Sequence, residues 1–290
     1  MPPLPQQRLL RFCVLMLAVV PLSNALAVGA PPPVAMRVQN GRLFLPLRVN
    51  GTPTEALLDS AAEMTIVDSA YARTLKLALT GADVAHGSGG DQATRFADHV
   101  TLEAGGVRLG PQTVAVLDLK DVSERLVHAP VTVVLGRELF DAARLEIDIN
   151  GGTLRRLSRA TRPPGVELAL AAHAGIESVP VTVEGNAANA DLDLGNGTDV
   201  LIGRQFALAH GLLRPERIVE RAAGGGIGGG IEREVIVLAR LEIAGRSFEN
   251  VRATVDPLPT AGELNIGVGI LREFVLVTDF HARRVWLRAH

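Results

Sequence analysis

Cysteine and aromatic residues are scarce in this sequence. Its 290 residues include one cysteine, one tryptophan and one tyrosine, and aromatic residues make up only 3%. The cysteine, Cys13, lies in an N-terminal apolar segment that we predict to be removed, so the mature chain has no thiol for a disulfide or a thiolate nucleophile. The seven histidines show no spacing typical of metal ligands. We therefore predict neither a metal nor another cofactor.

The N-terminus has the features of a secretory signal. Arg8 and Arg11 precede an apolar run over residues 12–22, and Ala25-Leu26-Ala27 matches an A-x-A cleavage site. The run is shorter than the about 20 residues that a membrane-spanning helix needs. We predict a signal peptide over residues 1–27 and a periplasmic or secreted protein that is free of the membrane after cleavage. An uncleaved anchor is the alternative.

The sequence also has no excess of positive over negative charge. Removal of residues 1–27 leaves 27 Lys and Arg against 31 Asp and Glu, a formal charge of −4. A weakly acidic chain of this kind gives no electrostatic reason to bind nucleic acid or an anionic membrane. Abundant Val, Leu, Ala and Gly instead favour many short strands joined by tight turns.

An aspartate follows an apolar, strand-like run at two places. Asp59 comes after Ala56-Leu57-Leu58, and Asp193 occupies the same place in a second stretch with small residues after it. A carboxylate in such surroundings is costly to bury unless it is paired, hydrogen-bonded or protonated. The two stretches predict two carboxylates related by a pseudo-two-fold axis. A structural turn role for Asp59 is the alternative.

Each copy begins with a β-hairpin signal. An X-Gly pair joins two strand-like runs at Asn50-Gly51 and again at Glu184-Gly185, and each aspartate ends the second run of its hairpin. Pro46 lies inside the first run of the first copy. Since proline cannot donate to a ladder, it predicts an edge strand there.

Further landmarks recur in the same order after each aspartate. They comprise a short helical segment, a glycine-rich stretch, two more strands, and an apolar residue before a glycine. The interval from that glycine to a later aspartate is 12 residues in both copies, from Gly136 to Asp148 and from Gly267 to Asp279. The helical segments are residues 69–77 and 204–210, and the glycine-rich stretches are residues 86–91 and 223–230.

This duplication predicts an all-β protein with two pseudo-symmetric lobes and a cleft between them. Pro163-Pro164 marks a break between the copies. The predicted organisation is a signal peptide over residues 1–27, a Pro-rich leader over 28–35, an N-terminal lobe over 36–157, a linker over 158–166 and a C-terminal lobe over 167–290.

The chain resembles the retropepsin-like aspartic proteases, in particular secreted bacterial members with both halves in one polypeptide. The resemblance rests on Asp-Ser-Ala-Ala after an apolar strand, on a glycine-rich flap, and on a later apolar residue before glycine. It implies two β-barrel lobes, a catalytic pair of Asp59 and Asp193, and a hydroxyl at Ser60 that locks the two loops together. It further implies a monomer with an internal pseudo-dimer that acts on peptides or proteins. The glycines that match the flaps are Gly87, Gly89, Gly90, Gly226 and Gly228.

The chemistry of such a pair follows from electrostatics. Two carboxylates a few ångströms apart cannot both ionise easily, so they share one proton. The ionised member can take a proton from water, while the protonated member can stabilise the oxyanion that develops on the scissile carbonyl. The sequence therefore predicts an aspartic endopeptidase.

Some positions depart from the family pattern. Ala61 stands where the family has glycine, although Gly195 keeps it in the second copy, and Leu194 stands where the second loop should carry Thr or Ser. Asn196 and Asn265 replace apolar or small residues. These departures support an alternative, a catalytically degenerate fold that binds peptide or protein without cutting it.

Two other kinds of site, an EF-hand calcium loop and a dinucleotide-binding glycine loop, do not fit the sequence. Residues 191–202 lack the glycine at the sixth position and the glutamate at the twelfth that an EF-hand loop needs. Residues 224–229 fit G-x-G-x-x-G, but a strand rather than a helix is predicted to follow, so no helix N-terminus would meet a pyrophosphate.

Overall fold

The structure is a computed structural model, and it describes residues 31–173 and 175–290. The predicted signal peptide and Cys13 lie outside these residues. None of the described helices is long and apolar enough to span a membrane.

The first repeat is almost entirely β-structure. Its helices are α1 (Ser69–Thr74) and α2 (Glu138–Ala142), with a π-helical segment at Val122–Val127. Asp68 caps α1 by accepting hydrogen bonds from the N–H groups of Ala70 and Tyr71, at 2.9 and 3.0 Å. Its strands are β1 (Val34–Ala35), β2 (Arg37–Gln39), β3 (Arg42–Val49), β4 (Thr52–Leu58), β5 (Ile66–Asp68), β6 (Leu79–Gly87), β7 (Gly90–Ala104), β8 (Val107–Leu117), β9 (Val133–Leu135), β10 (Arg144–Asp148) and β11 (Thr153–Leu157).

The strands and α-helices of the second repeat follow the same order as those of the first. Its helices are α3 (Arg204–Ala209) and α4 (Val268–Leu271), with a 3-10 turn at Pro215–Arg217. Thus α1 and α3 confirm the two short helices predicted after the aspartates. The strands are β12 (Val166–Ala169), β13 (Ala171–His173), β14 (Ile176–Val183), β15 (Asn186–Leu192), β16 (Val200–Gly203), β17 (Ile218–Gly226), β18 (Gly229–Ile243), β19 (Arg246–Asp256), β20 (Leu264–Ile266), β21 (Phe274–Asp279) and β22 (Arg284–Ala289).

Two eight-stranded sheets match strand for strand. The first has the order β2-β3-β4-β9-β5-β8-β7-β6, and the second has the order β13-β14-β15-β20-β16-β19-β18-β17. An additional pairing, β3 with β7 and β14 with β18, makes each sheet close on itself. The all-β class and the two pseudo-symmetric lobes predicted from the sequence are confirmed.

The opening hairpins have the turn that their sequence predicts. At Asn50 and Gly51 the φ angles are +48° and +81°, and at Glu184 and Gly185 they are +48° and +85°. Positive φ at both central residues is typical of a type I′ turn, whose twist matches that of the flanking strands.

The prediction of an edge strand at Pro46 is wrong, because β3 lies inside its sheet. On one side β3 pairs with β4 throughout. On the other side β2 pairs only as far as Phe44, and β7 begins to pair at Leu47. Pro46 falls between these two ladders, where no partner needs its missing N–H.

A third sheet joins the two repeats. Its order is β1-β11-β10-β21-β22-β12, with β10 of one repeat antiparallel to β21 of the other. The last two residues of the predicted leader, Val34 and Ala35, form its outer strand β1. The fully buried Asp279 accepts a hydrogen bond from Arg144 Nε at 3.0 Å across this sheet.

Apolar side chains from both repeats form one continuous buried cluster. Phe140 and Phe280, one from each repeat, stack with ring centroids 5.1 Å apart. The third sheet and this shared core hold the lobes together. They thereby set the relative position of the loops that follow β4 and β15.

Candidate active site

Asp59 lies directly after β4, at the floor of the cleft. Its N–H donates to the carbonyl of Leu135 in β9 at 3.0 Å, which continues the β4–β9 ladder by one residue. The loop then turns back, and the N–H groups of Ala61 and Ala62 donate to Asp59 Oδ1 at 2.9 and 3.0 Å. The side chain is half-buried. The turn therefore fixes Oδ1 of this carboxylate, while Oδ2 lies against Gly195.

The backbone of the second lobe makes the same hydrogen bonds to Asp193. Its N–H donates to the carbonyl of Ile266 at 3.0 Å, and its Oδ1 accepts from the N–H groups of Gly195 and Asn196 at 2.8 and 3.0 Å. The pseudo-two-fold relation predicted from the sequence thus extends to individual hydrogen bonds.

The structure brings the two carboxylates together. The carboxylate of Asp59 lies against Gly195, and a Cβ at that glycine would overlap it. Burial and repulsion by Asp193 raise the pKa of Asp59 to about 7. Burial also raises the pKa of Asp193. Burial thus favours the protonated form of both acids, and repulsion by Asp193 adds to this effect at Asp59.

Ser60 links the two loops across the pseudo-two-fold axis. Its hydroxyl donates to the carbonyl of Leu192 at 2.6 Å and accepts from the N–H of Leu194 at 3.0 Å. Ser60 is buried, and Leu194 is fully buried with no hydroxyl to return these bonds. The link between the loops is therefore made from the N-terminal lobe alone.

Ala61 occupies the position equivalent to Gly195. Its φ does not lie in the left-handed region, so the backbone of this loop does not require glycine there. Its N–H still donates to Asp59, as that of Gly195 does to Asp193. The substitution therefore leaves the hydrogen bonding of the first loop intact.

The glycine-rich stretches form the tips of two long hairpins, β6–β7 and β17–β18. The tips touch each other, and the N–H of Gly89 donates to the carbonyl of Ile227 at 2.9 Å. A Cβ at Gly87 would overlap Ile227, and one at Gly228 would overlap Gly90. Glycine is thus required at the tips because the two backbones approach closely. Gly226 lies beside them, at the end of β17.

The N-terminal sheet has the sequence signature of a known family. Residues 45–139, a third of the chain, match the family model described as aspartyl protease. These residues of the N-terminal lobe are thus similar to the aspartyl protease family. This match includes Asp59 and the first flap, and it confirms the resemblance that the sequence motifs indicated.

The fold is also similar to that of solved structures. One structural match is the crystal structure of a retropepsin-like aspartic protease from Rickettsia conorii, with 17% sequence identity and a TM-score of 0.35. The match covers 42% of this chain and 88% of that chain. No curated protein matches the chain.

Two arginines that the sequence did not single out hold the flap tips. Arg125, in the π-helical segment of the N-terminal lobe, donates to the carbonyls of Gly224 and Gly226 at 2.8 and 3.2 Å. Arg233, in the second flap, donates to the carbonyl of Ser88 at 2.8 Å. The contacts cross between lobes, so no local sequence pattern could have revealed them.

Arg42 is a third residue that sequence reasoning missed. It begins β3, its guanidinium packs against Gly197, and it is half-buried. Its positive charge acts on Asp193 and Asp59 and lowers the pKa of both, while burial lowers the pKa of Arg42 itself. Arg42 precedes Asp59 by 17 residues. The β3–β4 hairpin, in which Phe44 pairs with Leu57, brings it beside Asp59, and the packing of the two lobes brings it to Gly197.

Asn196 and Asn265, noted in the sequence as departures, both contact Asp193. Asn265 Nδ2 donates to Asp193 Oδ2 at 2.7 Å, and Asn196 Nδ2 donates to Asn265 Oδ1 at 2.8 Å. The N-terminal lobe has Val134 at the position of Asn265. The two carboxylates therefore differ in their donors.

Metal ligands are not grouped near the pair. Within residues 31–173 and 175–290, no cluster of His, Cys, Asp and Glu could hold a metal ion.

Proposed function

We propose that this protein is an aspartic endopeptidase, which hydrolyses peptide bonds with a water activated by Asp59 and Asp193. The observation that supports this most strongly is the matched environment of the two carboxylates. Each follows an equivalent strand, and each has one oxygen held by two backbone N–H groups. The aspartyl protease family of the N-terminal lobe supports the same conclusion.

In the proposed reaction the pair starts with one proton. The ionised carboxylate takes a proton from water as the water oxygen attacks the scissile carbonyl carbon, and the protonated carboxyl gives its proton to the carbonyl oxygen. The product of this step is a neutral gem-diol. The newly protonated carboxyl then protonates the amide nitrogen as the C–N bond breaks, and one hydroxyl of the diol returns a proton to the other carboxylate. The products are a carboxylic acid and an amine, and the pair is restored.

The proposed substrate is an extended segment of peptide or protein between the flap tips and the carboxylates. The tips meet above the cleft in this structure, so substrate entry requires them to separate. The contacts that must open include hydrogen bonds from Gly89, Arg125 and Arg233. Because both carboxylates come from one chain, we propose that a monomer is the active form.

A second candidate is a degenerate protease fold that binds peptides without cutting them. Leu194 favours this candidate, because its lobe supplies no hydroxyl to the link between the loops. An error near 1 Å in the placement of catalytic groups can cost about 100-fold in rate.

Peptide-library cleavage by mature protein, from acid to neutral pH, separates the two candidates. We expect cleavage by the wild type and none by Asp59→Asn or Asp193→Asn, because an amide cannot replace the acid or the base. Asp118→Asn, which removes a carboxylate from an exposed loop, is the matched control and should cleave normally. Peptide binding without cleavage at any pH would support the degenerate fold. Cleavage that survives in both dyad variants would refute the aspartic mechanism.

We also propose that the protein acts in the periplasm or outside the cell. The proposal rests on Arg8, Arg11 and the A-x-A site before Val28. The intact mass of the exported protein should correspond to a chain that begins near Val28. A mass that includes residues 1–27 would contradict this.

A further inference from the structure

The amide of Asn265 has one possible orientation, because a chain of hydrogen bonds fixes it. Thr198 N–H, which can only donate, lies 3.0 Å from Asn196 Oδ1, and the Thr198 hydroxyl donates to the same oxygen at 2.7 Å. Asn196 must therefore present its NH₂ group to Asn265, where it donates to Oδ1 at 2.8 Å. Asn265 must in turn present its own NH₂ group to Asp193 Oδ2, at 2.7 Å.

Asp59 has no such donor. Val134 in β9 pairs with Leu57 and Ile66, as Asn265 in β20 pairs with Asp191 and Leu201. The valine side chain is buried and cannot donate. In the described part of the chain, the donors to the Asp59 carboxylate are the N–H groups of the next two loop residues, and both bind Oδ1.

The two acids therefore differ by one donor. Asp193 accepts three N–H hydrogen bonds on its two oxygens, whereas Asp59 accepts two on one oxygen. N–H donors stabilise a carboxylate much more than a carboxylic acid, because hydrogen bonds to a charged acceptor are about twice as strong as neutral ones. The guanidinium of Arg42 also favours the anion, and its charge acts more strongly on Asp193 than on Asp59. Asp191, whose pKa is raised to about 7 by burial and by Asp193, opposes the anion only where it is itself ionised.

We propose that Asn265 is a positioning residue that holds Asp193 as the ionised member of the pair and leaves the shared proton on Asp59. The inference rests on the proposed function and assigns the two roles within it. Asp193 removes the proton from water and later gives it to the departing amide nitrogen. Asp59 gives its proton to the carbonyl oxygen and recovers one from the diol. Asp193 Oδ2 can still accept a bond from the water, because a carboxylate oxygen accepts two.

The first test compares single-aspartate variants by NMR, with ¹³C-labelled aspartate carboxyl groups titrated in each protein. In Asp59→Asn the remaining Asp193 should titrate at a lower pH than the remaining Asp59 does in Asp193→Asn. The reverse order, or equal midpoints, would overturn the inference. This test needs no catalysis, and it leaves the hydrogen bonds among Thr198, Asn196 and Asn265 intact.

The second test removes the donor with Asn265→Val, which copies the residue of the first lobe. Loss of one hydrogen bond to a charged group, about 1.5–3 kcal/mol, should move the acidic limb of the kcat/KM profile upward by about one to two pH units. The double variant Asn265→Val/Val134→Asn moves the donor to the other lobe. It should restore the acidic limb and reverse the order of the two NMR titrations.

The outcomes separate this inference from the proposed function. If the wild type cleaves no peptide, the proposed function fails, while the NMR titrations still test the assignment of the proton. If the wild type cleaves but Asn265→Val leaves both the pH profile and the titrations unchanged, the positioning role is refuted and the proposed function stands. If Asn265→Val does not fold, the single-aspartate titrations decide.

Discussion

Replacement of Asp59 by asparagine should stabilise the protein at alkaline pH. The native pKa of Asp59 is raised from its ordinary 3.8 to about 7, so the folded state holds a proton that the unfolded state releases. The folded protein therefore loses stability as pH rises from about 4 to 7, and Asn, which never ionises, escapes this loss. The amide oxygen can still accept from the N–H groups of Ala61 and Ala62.

The size of the effect can be worked out from this pKa. A pKa difference of one corresponds to about 1.4 kcal/mol, which sets a ceiling of about 4 kcal/mol above pH 7. Solvent screens the half-buried side chain, and we discount the gain to roughly 1–2 kcal/mol. For a chain of this size that gain raises Tm by roughly 2–4 °C.

Thermal unfolding at pH 4.5, 6 and 8 is the assay, with wild type and variant at equal concentration. We expect about a quarter of the difference in Tm at pH 4.5 and the full difference at pH 8. Asp118→Asn removes one exposed negative charge and serves as the control for the change in net charge. A difference in Tm that is the same at all three pH values, or that has the opposite sign at pH 8, would refute the reasoning.

Three further variants test other parts of the structure. Ser60→Ala removes two buried hydrogen bonds between the loops and should lower the free energy of unfolding by about 1–3 kcal/mol in a urea titration; an unchanged midpoint would contradict the link. Arg42→Gln removes a positive charge beside the pair, so the acidic limb of the kcat/KM profile should move upward, and a downward shift would contradict the electrostatics. Asp279→Asn leaves the guanidinium of Arg144 without a buried anion and should cost about 3–5 kcal/mol at neutral pH. Because the pKa of Asp279 is lowered in the folded protein, the wild type should lose this advantage as pH falls below the unfolded value, and a loss that persists in acid would argue against the pairing.

The sequence by itself determined the duplication and the places of the two aspartates. Hairpin turns, short helices and glycine-rich tips depend on neighbouring residues, so they appear as local patterns. The type I′ turns at Asn50-Gly51 and Glu184-Gly185 and the helices after each aspartate are examples. Repetition of these patterns in one order was enough to predict two β-lobes.

Only the tertiary structure decided what surrounds each carboxylate. Arg42 and Asn265 reach Asp193 from strands that are distant in sequence, and Arg125 reaches the flap of the other lobe. The sequence predicts an edge strand at Pro46, because it does not reveal where the pairing of β3 with β2 stops and its pairing with β7 begins. Hydrogen bonds and charges act through space, and strand pairing and the packing of the two lobes set the distances over which they act. Sequence spacing alone therefore shows two similar aspartates where the folded protein has two different ones.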